Sequence, residues 1–252
     1  MGMSGFLAMI IDAHAHVGHG RYKSLSGEEL LCQMDEQGID RAVICPVEEQ
    51  ITVFNRQGND DILAQVRQYP DRFTGFAVAN PWFGREAVEE LERALEEGLR
   101  GLKLHPVIQG FSMNDAIVYP LIEVAAHHRV PVYAHTGTAH FGEPFKLVEL
   151  ARRYPQVMFI MGHSASSDFW SDLALCHQFA PNILYETSRN GPSKYINLVK
   201  NIGVDYIVFG SNAPESLYPL ELASIRDMIT DPGDLEKILS LNIRRTLEEG
   251  IA

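Results

Sequence analysis

The sequence predicts an α/β protein: a single, slightly distorted (β/α)₈ TIM barrel that covers residues 1–252 as one domain. Eight short apolar runs of β-forming residues recur along a chain of 252 residues, close to the usual length of such a barrel. They start at intervals of roughly 23 to 34 residues, enough for one strand, one helix and two loops. We expect the strands at Ala8–Ala13, Ala42–Cys45, Phe73–Ala79, Gly101–Leu104, Val130–Ala134, Val157–Met161, Ile183–Glu186 and Tyr206–Gly210.

The segments between these runs have the pattern of surface helices. Ser26–Glu29 has the sequence of a capping box, and Glu86–Glu97 carries apolar residues at helical spacing among glutamates. No glycine- and serine-rich linker or charge block divides the chain. An open, doubly wound sheet is the alternative, but no strand leads into a glycine-rich dinucleotide turn.

Composition narrows the class of partner. The net charge of −12 argues against nucleic acid or an anionic membrane, because both require clustered lysine and arginine. The three cysteines are far apart, which indicates reduced thiols rather than a disulfide framework. The N-terminal apolar run is too short for a signal peptide or a membrane span. We therefore expect a cytoplasmic enzyme with a small-molecule substrate, as a monomer, a homo-dimer or a higher homo-oligomer.

The first strand carries the sequence Asp12-Ala13-His14-Ala15-His16. Alternate side chains of a strand point the same way, so His14 and His16 project together at its carboxyl end. Neutral imidazole nitrogens are good ligands for a divalent metal. Two polar histidines in a loop are the alternative interpretation, because this motif alone is weak.

The fourth strand continues into Lys103-Leu104-His105-Pro106. Lys103 and His105 share a face by the same alternation. A lysine within an apolar run must be paired, uncharged or modified, because burial of an isolated ammonium is costly. A buried salt bridge is the structural alternative for Lys103.

The fifth and sixth strands end in His135 and His163. Either histidine alone would more often be a satisfied core residue. The carboxyl ends of barrel strands meet at one mouth, however, and catalytic groups lie there. Histidines at the ends of four strands therefore predict one site.

The last two strands and one loop supply further candidates. Glu186 is a candidate acid or base, or a partner that orients a histidine. Arg189 and His105 are candidates for substrate binding, the first for a carboxylate. Trp170, in a loop after the sixth strand, is a candidate wall of the substrate pocket, and Asn212 ends the eighth strand.

In combination, these motifs resemble the amidohydrolase superfamily, in particular its amidohydrolase-2 branch of metal-dependent hydrolases and decarboxylases. The resemblance runs from Ile11 to about Glu249 and depends on the order H-x-H, Lys-Leu-His-Pro, Ala-His-Thr-Gly, Gly-His-Ser and Phe-Gly-Ser-Asn-Ala-Pro. It implies one divalent metal ion, with zinc as the first expectation and manganese or another divalent ion as alternatives.

The resemblance also assigns roles. His14, His16 and His135 would be metal ligands, and His163 a further ligand or a residue that polarises the substrate and moves a proton. Lys103 stands where some superfamily members carry a carboxylated lysine that bridges two metals, but one metal is more usual in this branch.

Asn212 departs from the pattern, which has an aspartate that binds the metal and activates water. An amide oxygen coordinates more weakly and accepts no proton near neutral pH. Three explanations remain open: another carboxylate takes over, with Glu186 and Glu215 nearest; the chain binds metal weakly or not at all; or the residue has been changed from the natural one.

Three functions follow from these residues. The leading expectation is hydrolysis of an ester, lactone or amide by metal-activated water, with Glu186 or Asn212 positioning the water and His163 stabilising the oxyanion. The second is non-oxidative decarboxylation of an aromatic or enoic acid, with His163 protonating the carbon. The third is a catalytically weakened barrel that only binds a ligand, because of Asn212.

Overall fold

The computed structural model describes residues 9–166 and 168–248. Eleven strands are present in these ranges: β1 Ile11–His16, β2 Gly18–His19, β3 Ser24–Leu25, β4 Arg41–Cys45, β5 Phe73–Gly75, β6 Ala77–Val78, β7 Leu102–Leu104, β8 Val132–His135, β9 Phe159–Gly162, β10 Ile183–Glu186 and β11 Ile207–Val208.

The α-helices alternate with the strands of the barrel. They are α1 Gly27–Gln37, α2 Glu48–Thr52, α3 Asn55–Gln68, α4 Arg85–Glu96, α5 Pro106–Gln109, α6 Tyr119–His128, α7 Pro144–Arg153, α8 Leu173–Phe179, α9 Pro192–Asn201, α10 Tyr218–Met228, α11 Pro232–Glu236 and α12 Asn242–Glu248. The expected capping box is present at α1, where the Ser26 hydroxyl and the Glu29 carboxylate each accept the other residue's backbone N–H. No helix within the described ranges is long and apolar enough to span a bilayer.

The barrel strands pair in parallel. One sheet has the order β1-β4-β5 and the other β6-β7-β8-β9-β10-β11, while β2 and β3 form a small antiparallel hairpin outside the barrel. The predicted third strand, Phe73–Ala79, is divided at Phe76. The Phe76 N–H donates to Ile44 on one side, and the Ala77 N–H donates to Gly101 on the other. The interruption therefore transfers pairing from β4 to β7.

The last strand meets the first through backbone hydrogen bonds. Ala13 donates to Phe209, Asn212 donates to His14 and His16 donates to Ala213, each over 2.8 Å. The predicted (β/α)₈ barrel is confirmed, with two shifts at its ends. The first strand extends to His16 rather than ending at Ala13, and Ala8 lies outside the described residues. The eighth strand is regular only over Ile207–Val208.

Two apolar clusters form the core. The larger one fills the space between strands and helices. The smaller one fills the barrel interior with alternate strand residues and with Ile243 from α12, which covers the amino-terminal end of the barrel. On β7, Leu102 and Leu104 belong to the outer cluster. Because successive side chains of a strand face opposite sides, Lys103 between them points into the barrel. The barrel interior is thus apolar at the amino-terminal ends of the strands and becomes polar toward their carboxyl ends.

A bulge in β1 sets the direction of its histidines. Its pairing with β4 shifts register between Asp12 and Ala15. Ile11 and Ala13 contribute to the interior cluster, whereas Ala15 packs in the outer one. A strand without the bulge would keep Ala15 on the inner face, so the extra residue is what turns His14 and His16 inward.

Candidate functional site

Histidines from four strands gather at the barrel mouth, the end formed by the carboxyl ends of the strands. The ring centroids of His14 and His16 are 4.8 Å apart, and those of His14 and His163 are 5.6 Å apart. His135 stacks on His105 at 3.8 Å and meets His163 edge-on at 4.6 Å. The structure therefore brings together all five histidines that the sequence placed at strand ends.

His16 is held by a backbone carbonyl. Its Nδ1 lies 2.8 Å from the oxygen of Pro46, and the Cys45 thiol is 3.3 Å from the same nitrogen. A carbonyl oxygen only accepts hydrogen bonds, so Nδ1 carries the proton. The lone pair of His16 is therefore on Nε2.

His14 is held through Tyr133. Tyr133 donates its hydroxyl proton to Oε2 of Glu186 over 2.8 Å, and the hydroxyl oxygen of Tyr133 lies 2.8 Å from Nδ1 of His14. Because the hydroxyl proton is used on the carboxylate, Nδ1–H of His14 donates to the tyrosine oxygen. This arrangement leaves the lone pair of His14 on Nε2 as well.

His135 is held through His163 and Ser188. Ser188 donates its hydroxyl proton to Oε2 of Glu186 over 3.0 Å and accepts from Nδ1 of His163 at 2.7 Å. Nε2 of His163 is then an acceptor for Nδ1–H of His135, 3.1 Å away. His135 thus also keeps its lone pair on Nε2.

Glu186 joins the two chains of hydrogen bonds. Its Oε2 accepts from Tyr133, from Ser188 and from the backbone N–H of His163, while its Oε1 accepts the backbone N–H of Ser188. The side chain has no solvent exposure. Both oxygens are therefore committed, and Glu186 orients His14 and His163 rather than offering a free base.

Two glycines make room for this network. A Cβ atom at Gly162 would collide with the Tyr133 ring and hydroxyl, and one at Gly210 would collide with the Glu186 carboxylate. Both positions lie at the carboxyl ends of barrel strands, where any side chain would project inward. Their missing side chains allow Tyr133 and Glu186 to reach the barrel axis.

Lys103 lies beside His14 rather than beside a carboxylate. Its Nζ is 2.8 Å from Nε2 of His14 and 3.8 Å from the centre of the Tyr133 ring. The side chain is 1% exposed, and burial lowers the pKa of its amine to about 8. The salt bridge considered from the sequence is not formed in the described part of the chain.

The imidazoles are electrically neutral. Burial, followed by the charge of Lys103, holds the pKa of His14 and of His135 well below the ordinary value. The same two causes lower the pKa of His16 to about 3. Neutral imidazole is the form that binds metal, so the chemistry of these donors fits a divalent cation.

The distances define two groups of possible ligand atoms within 4.8 Å of one another, namely His14, His16 and Cys45, and His14, His163 and Glu186. His14 and His16 are thus close enough to share an ion. His135, the third predicted ligand, belongs to neither group and lies one hydrogen bond beyond His163. Its role as a ligand stays a prediction.

A cavity of about 470 Å³ opens above the histidines. His16, His105, His135 and Asn212 form its polar floor. Apolar side chains from the segments after β4 and β7, which include the short helices α2 and α5, form its wall; among them are Val47, Ile51 and Ile108. This volume suits a small organic ligand. His163 is not among the lining residues.

Two polar atoms at the cavity floor have no partner among the described residues. They are Nδ1 of His105 and Nδ2 of Asn212, both buried. Buried polar groups are nearly always hydrogen-bonded, so such atoms indicate that a ligand completes the site.

Charged residues form the cavity rim. Glu215 pairs with Lys23, and its Oε2 lies 3.4 Å from the guanidinium of Arg189. Burial alone would raise the pKa of Glu215, but the hydrogen bond and charge of Lys23 hold it below the ordinary value. Arg189 is exposed and reaches the cavity through Glu215 rather than lining it. Trp170 is on the short helical segment Asp168–Asp172, and its side chain lies outside the described residues.

Sequence reasoning missed three residues of this site. Tyr133 is two residues before His135 on β8, so the alternation rule applied to the histidines would have placed it on the same inner face. Ser188 follows Glu186 at the same spacing. Lys23 lies in the loop after the hairpin strand β2, where no pattern in the sequence indicates contact with Glu215.

A (β/α)₈ barrel with clustered neutral histidines at the carboxyl ends of its strands defines a class of metal-dependent enzymes. Residues 11–248 match the family model described as amidohydrolase. The chain belongs to this amidohydrolase family.

Solved structures with the same fold include two decarboxylases. A dihydroxybenzoic acid decarboxylase from Polaromonas sp. JS666, with bound manganese and the inhibitor 2-nitroresorcinol, has a TM-score of 0.79 at 17% identity, over 98% of each chain. The 5-carboxyvanillate decarboxylase from Sphingomonas paucimobilis has a TM-score of 0.78 at 15% identity, over 95% of this chain and 99% of that one.

A third similar structure has a different activity. The 4-oxalomesaconate hydratase from Rhodopseudomonas palustris has a TM-score of 0.71 at 19% identity, over 95% of each chain. At these identities the similarity establishes the fold.

Proposed function

We propose that this protein is a metal-dependent decarboxylase of a small, ring-shaped carboxylic acid. The observation that carries the proposal is the lack of an uncommitted carboxylate on the cavity floor, within the described residues. Hydrolysis by activated water needs a group that accepts the proton of the water. Decarboxylation needs instead a site that holds the carboxylated substrate and returns a proton to carbon.

Two residues that the sequence suggested for positioning or activating the water do not suit the role of a base. Asn212 presents an amide, which accepts no proton near neutral pH. Glu186 spends both oxygens on Tyr133, His163 and Ser188. The hydrolytic expectation from the sequence therefore loses two of its candidate bases.

His14, His16 and His135 are the residues that would hold the ion. Each donates its Nδ1 proton to a protein acceptor and keeps the lone pair on Nε2, an arrangement typical of metal-binding histidines. A bound divalent ion would act as a Lewis acid on the oxygens of the substrate. Asn212 would contribute its amide oxygen to the ion or its amide protons to the substrate.

The cavity supports a substrate that combines a flat ring with an acidic group. Apolar side chains on one wall suit the ring, and Lys23 on the rim suits a carboxylate. His105 and His135 are the imidazoles in position to touch the ring. His105 lines the cavity, whereas His163 meets it through His135. Because burial holds the pKa of His105 well below its ordinary value, its neutral imidazole would relay to the ring carbon a proton taken up from water rather than store one.

Two of the similar structures described above are decarboxylases of carboxylated phenols, and one holds manganese. This agrees with the proposal and makes manganese an equal candidate to zinc. Because these structures are only 15% and 17% identical to this chain, the proposal depends more on Asn212 and on the committed oxygens of Glu186 than on the similarity.

The test is a substrate panel under two readouts. Chelator-treated protein reloaded with Mn²⁺ or Zn²⁺ is incubated with hydroxylated benzoic acids, and carbon dioxide is measured. Lactones and esters are tested in parallel for acid release. We expect carbon dioxide from at least one aryl acid, lost in His16→Ala and retained in His127→Ala, an exposed histidine on α6. Acid release without any carbon dioxide would contradict the proposal.

Hydrolysis is the second candidate, and Glu215 is the observation that favours it. This carboxylate lines the cavity and is kept ionised by Lys23. The sequence analysis named two carboxylates that could replace an aspartate at position 212, Glu186 and Glu215. Of these two, Glu215 remains able to accept a proton. The effect of a Glu215→Gln substitution on kcat distinguishes hydrolysis from decarboxylation.

A further inference from the structure

The amine of Lys103 is hydrogen-bonded to Nε2 of His14, the nitrogen through which this histidine would bind a metal. Its Nζ lies 2.8 Å from Nε2 of the imidazole, a hydrogen bond of ordinary length. Nδ1 of the same ring is committed to Tyr133, and Tyr133 is committed to Glu186. Nε2 is therefore the one nitrogen through which His14 can bind a metal, and Lys103 already uses its lone pair.

A metal ion and the lysine cannot share that lone pair. A nitrogen ligand bonds to a divalent ion at about 2.0 to 2.2 Å along the direction of its lone pair. The hydrogen bond from Nζ uses the same lone pair of Nε2. The charge of an ammonium 2.8 Å from the nitrogen also repels a divalent cation arriving there.

Lys103 has few other places to go. It is 1% exposed, its Nζ lies over the ring of Tyr133 and its nearest neighbours on β7 face the outer core. Within the described residues His14 is its hydrogen-bond partner, and no carboxylate forms a salt bridge with it. Displacement by an ion therefore costs the hydrogen bond and leaves a buried amine to be accommodated.

We propose that Lys103 is a resident cation that competes with the metal ion for Nε2 of His14 and so sets the metal affinity of the site. The inference rests on the proposed function in one respect, that a divalent ion binds at His14 and His16. It goes further by making the affinity of this barrel for metal a property of β7, a strand that carries none of the proposed ligands.

The test measures binding of Mn²⁺ alone, by calorimetry and by loss of the spectrum of free Mn²⁺, on chelator-treated protein. Lys103→Met keeps the length and apolar stem of the side chain and removes the amine. Loss of a hydrogen bond made by a charged group predicts an increase in affinity of at least about tenfold. Unchanged or weaker binding in Lys103→Met would overturn the inference.

A matched control separates the contact from the loss of charge. Lys194 on α9 is a second buried lysine, without a hydrogen bond to any of the five histidines. Lys194→Met should leave the affinity within about threefold of the unaltered protein, as expected for a buried charge without a shared ligand atom. An equal gain in both variants would show a general field effect and refute competition at Nε2.

The contact is also tested in a double-mutant cycle. In a His14→Ala background, Lys103→Met should raise affinity much less than in the unaltered protein, because the shared nitrogen is gone and only the repulsion by the ammonium remains. Persistence of the full gain would contradict the inference. Circular dichroism and thermal unfolding establish that each variant is folded, and Lys103→Gln provides a second, polar replacement if Lys103→Met does not fold.

A measurement without substitution gives an independent answer. Protein labelled with ¹⁵N in lysine and histidine is titrated with Zn²⁺. The signals of Lys103 Nζ and His14 Nε2 should change together at the same zinc concentration. Movement of His14 without Lys103 would overturn competition. Failure of the unaltered protein to bind metal, with binding restored in Lys103→Met, would support the inference while contradicting the proposed function.

Discussion

Tyr133 donates its hydroxyl proton to Glu186 over 2.8 Å, deep in the barrel interior. The contact matters because the same tyrosine oxygen receives the Nδ1 proton of His14. A carboxylate on β10 therefore fixes the tautomer of a histidine on β1 through a tyrosine on β8, the strand across the barrel from β1. Glu186 acts in the same way on His135, through Ser188 and His163.

Tyr133→Phe removes this link and keeps the ring that packs against Lys103. Without an acceptor at Nδ1, His14 is free to carry its proton on Nε2, so affinity for Mn²⁺ should fall about 10- to 100-fold. Calorimetry measures the change. The control is Tyr185→Phe, which removes a buried hydroxyl without a partner among the described residues and should leave affinity unchanged. Equal behaviour of the two variants would refute the role of Tyr133.

Glu186→Gln should destabilise the fold as well as the site. The amide replaces one acceptor oxygen by a donor, so at least one of the groups donated by Tyr133, His163 and Ser188 faces an N–H. One or two buried polar groups left unsatisfied predict a loss of about 2 to 5 kcal/mol in the free energy of unfolding. Urea denaturation tests this, with the exposed Glu149→Gln as control. A loss no larger than that of the control would contradict the role assigned to Glu186.

Asn212→Asp restores a carboxylate at the floor of the cavity. A charged oxygen ligand should raise affinity for Mn²⁺ by about tenfold or more relative to the neutral amide. The substitution also provides a proton acceptor, so weak hydrolysis of lactones should appear where the unaltered protein shows none. Calorimetry and acid release are the measurements. Unchanged affinity would mean that Asn212 does not face the ion.

Glu215→Gln distinguishes decarboxylation from hydrolysis. It removes the carboxylate that pairs with Lys23 and Arg189 at the rim. For a decarboxylase, freed cations should lower KM for a carboxylated substrate about three- to tenfold while kcat stays close to its original value. Were Glu215 the general base of a hydrolase, kcat would fall by about 10² to 10⁴. Steady-state kinetics on the best substrate of each class decides between them.

Much of the site follows from two regularities of the sequence. The spacing of apolar runs predicted the barrel, and alternation along strands predicted that Lys103 and His105 share a face. Convergence at the mouth then brought His135 and His163 to the same place. These inferences succeed because they depend on backbone geometry, which is the same in every strand.

The remaining contacts depend on partners across the barrel. The alternation rule pairs His14 with His16 but does not reveal the bulge after Asp12 that turns both inward. Nor does it show that Lys103 meets His14 instead of a carboxylate. Such contacts depend on how side chains from strands far apart in sequence meet inside the barrel, and on the space left at Gly162 and Gly210.

The central claim is that His14, His16 and His135 bind one divalent ion through Nε2. Pulsed electron paramagnetic resonance of protein loaded with Mn²⁺ and labelled with ¹⁵N-histidine tests it most directly. The account predicts one equivalent of bound Mn²⁺ with couplings to imidazole nitrogens, reduced in His135→Ala and lost in His16→Ala. Bound Mn²⁺ without such couplings, or no stoichiometric binding in either the unaltered protein or Lys103→Met, would contradict it.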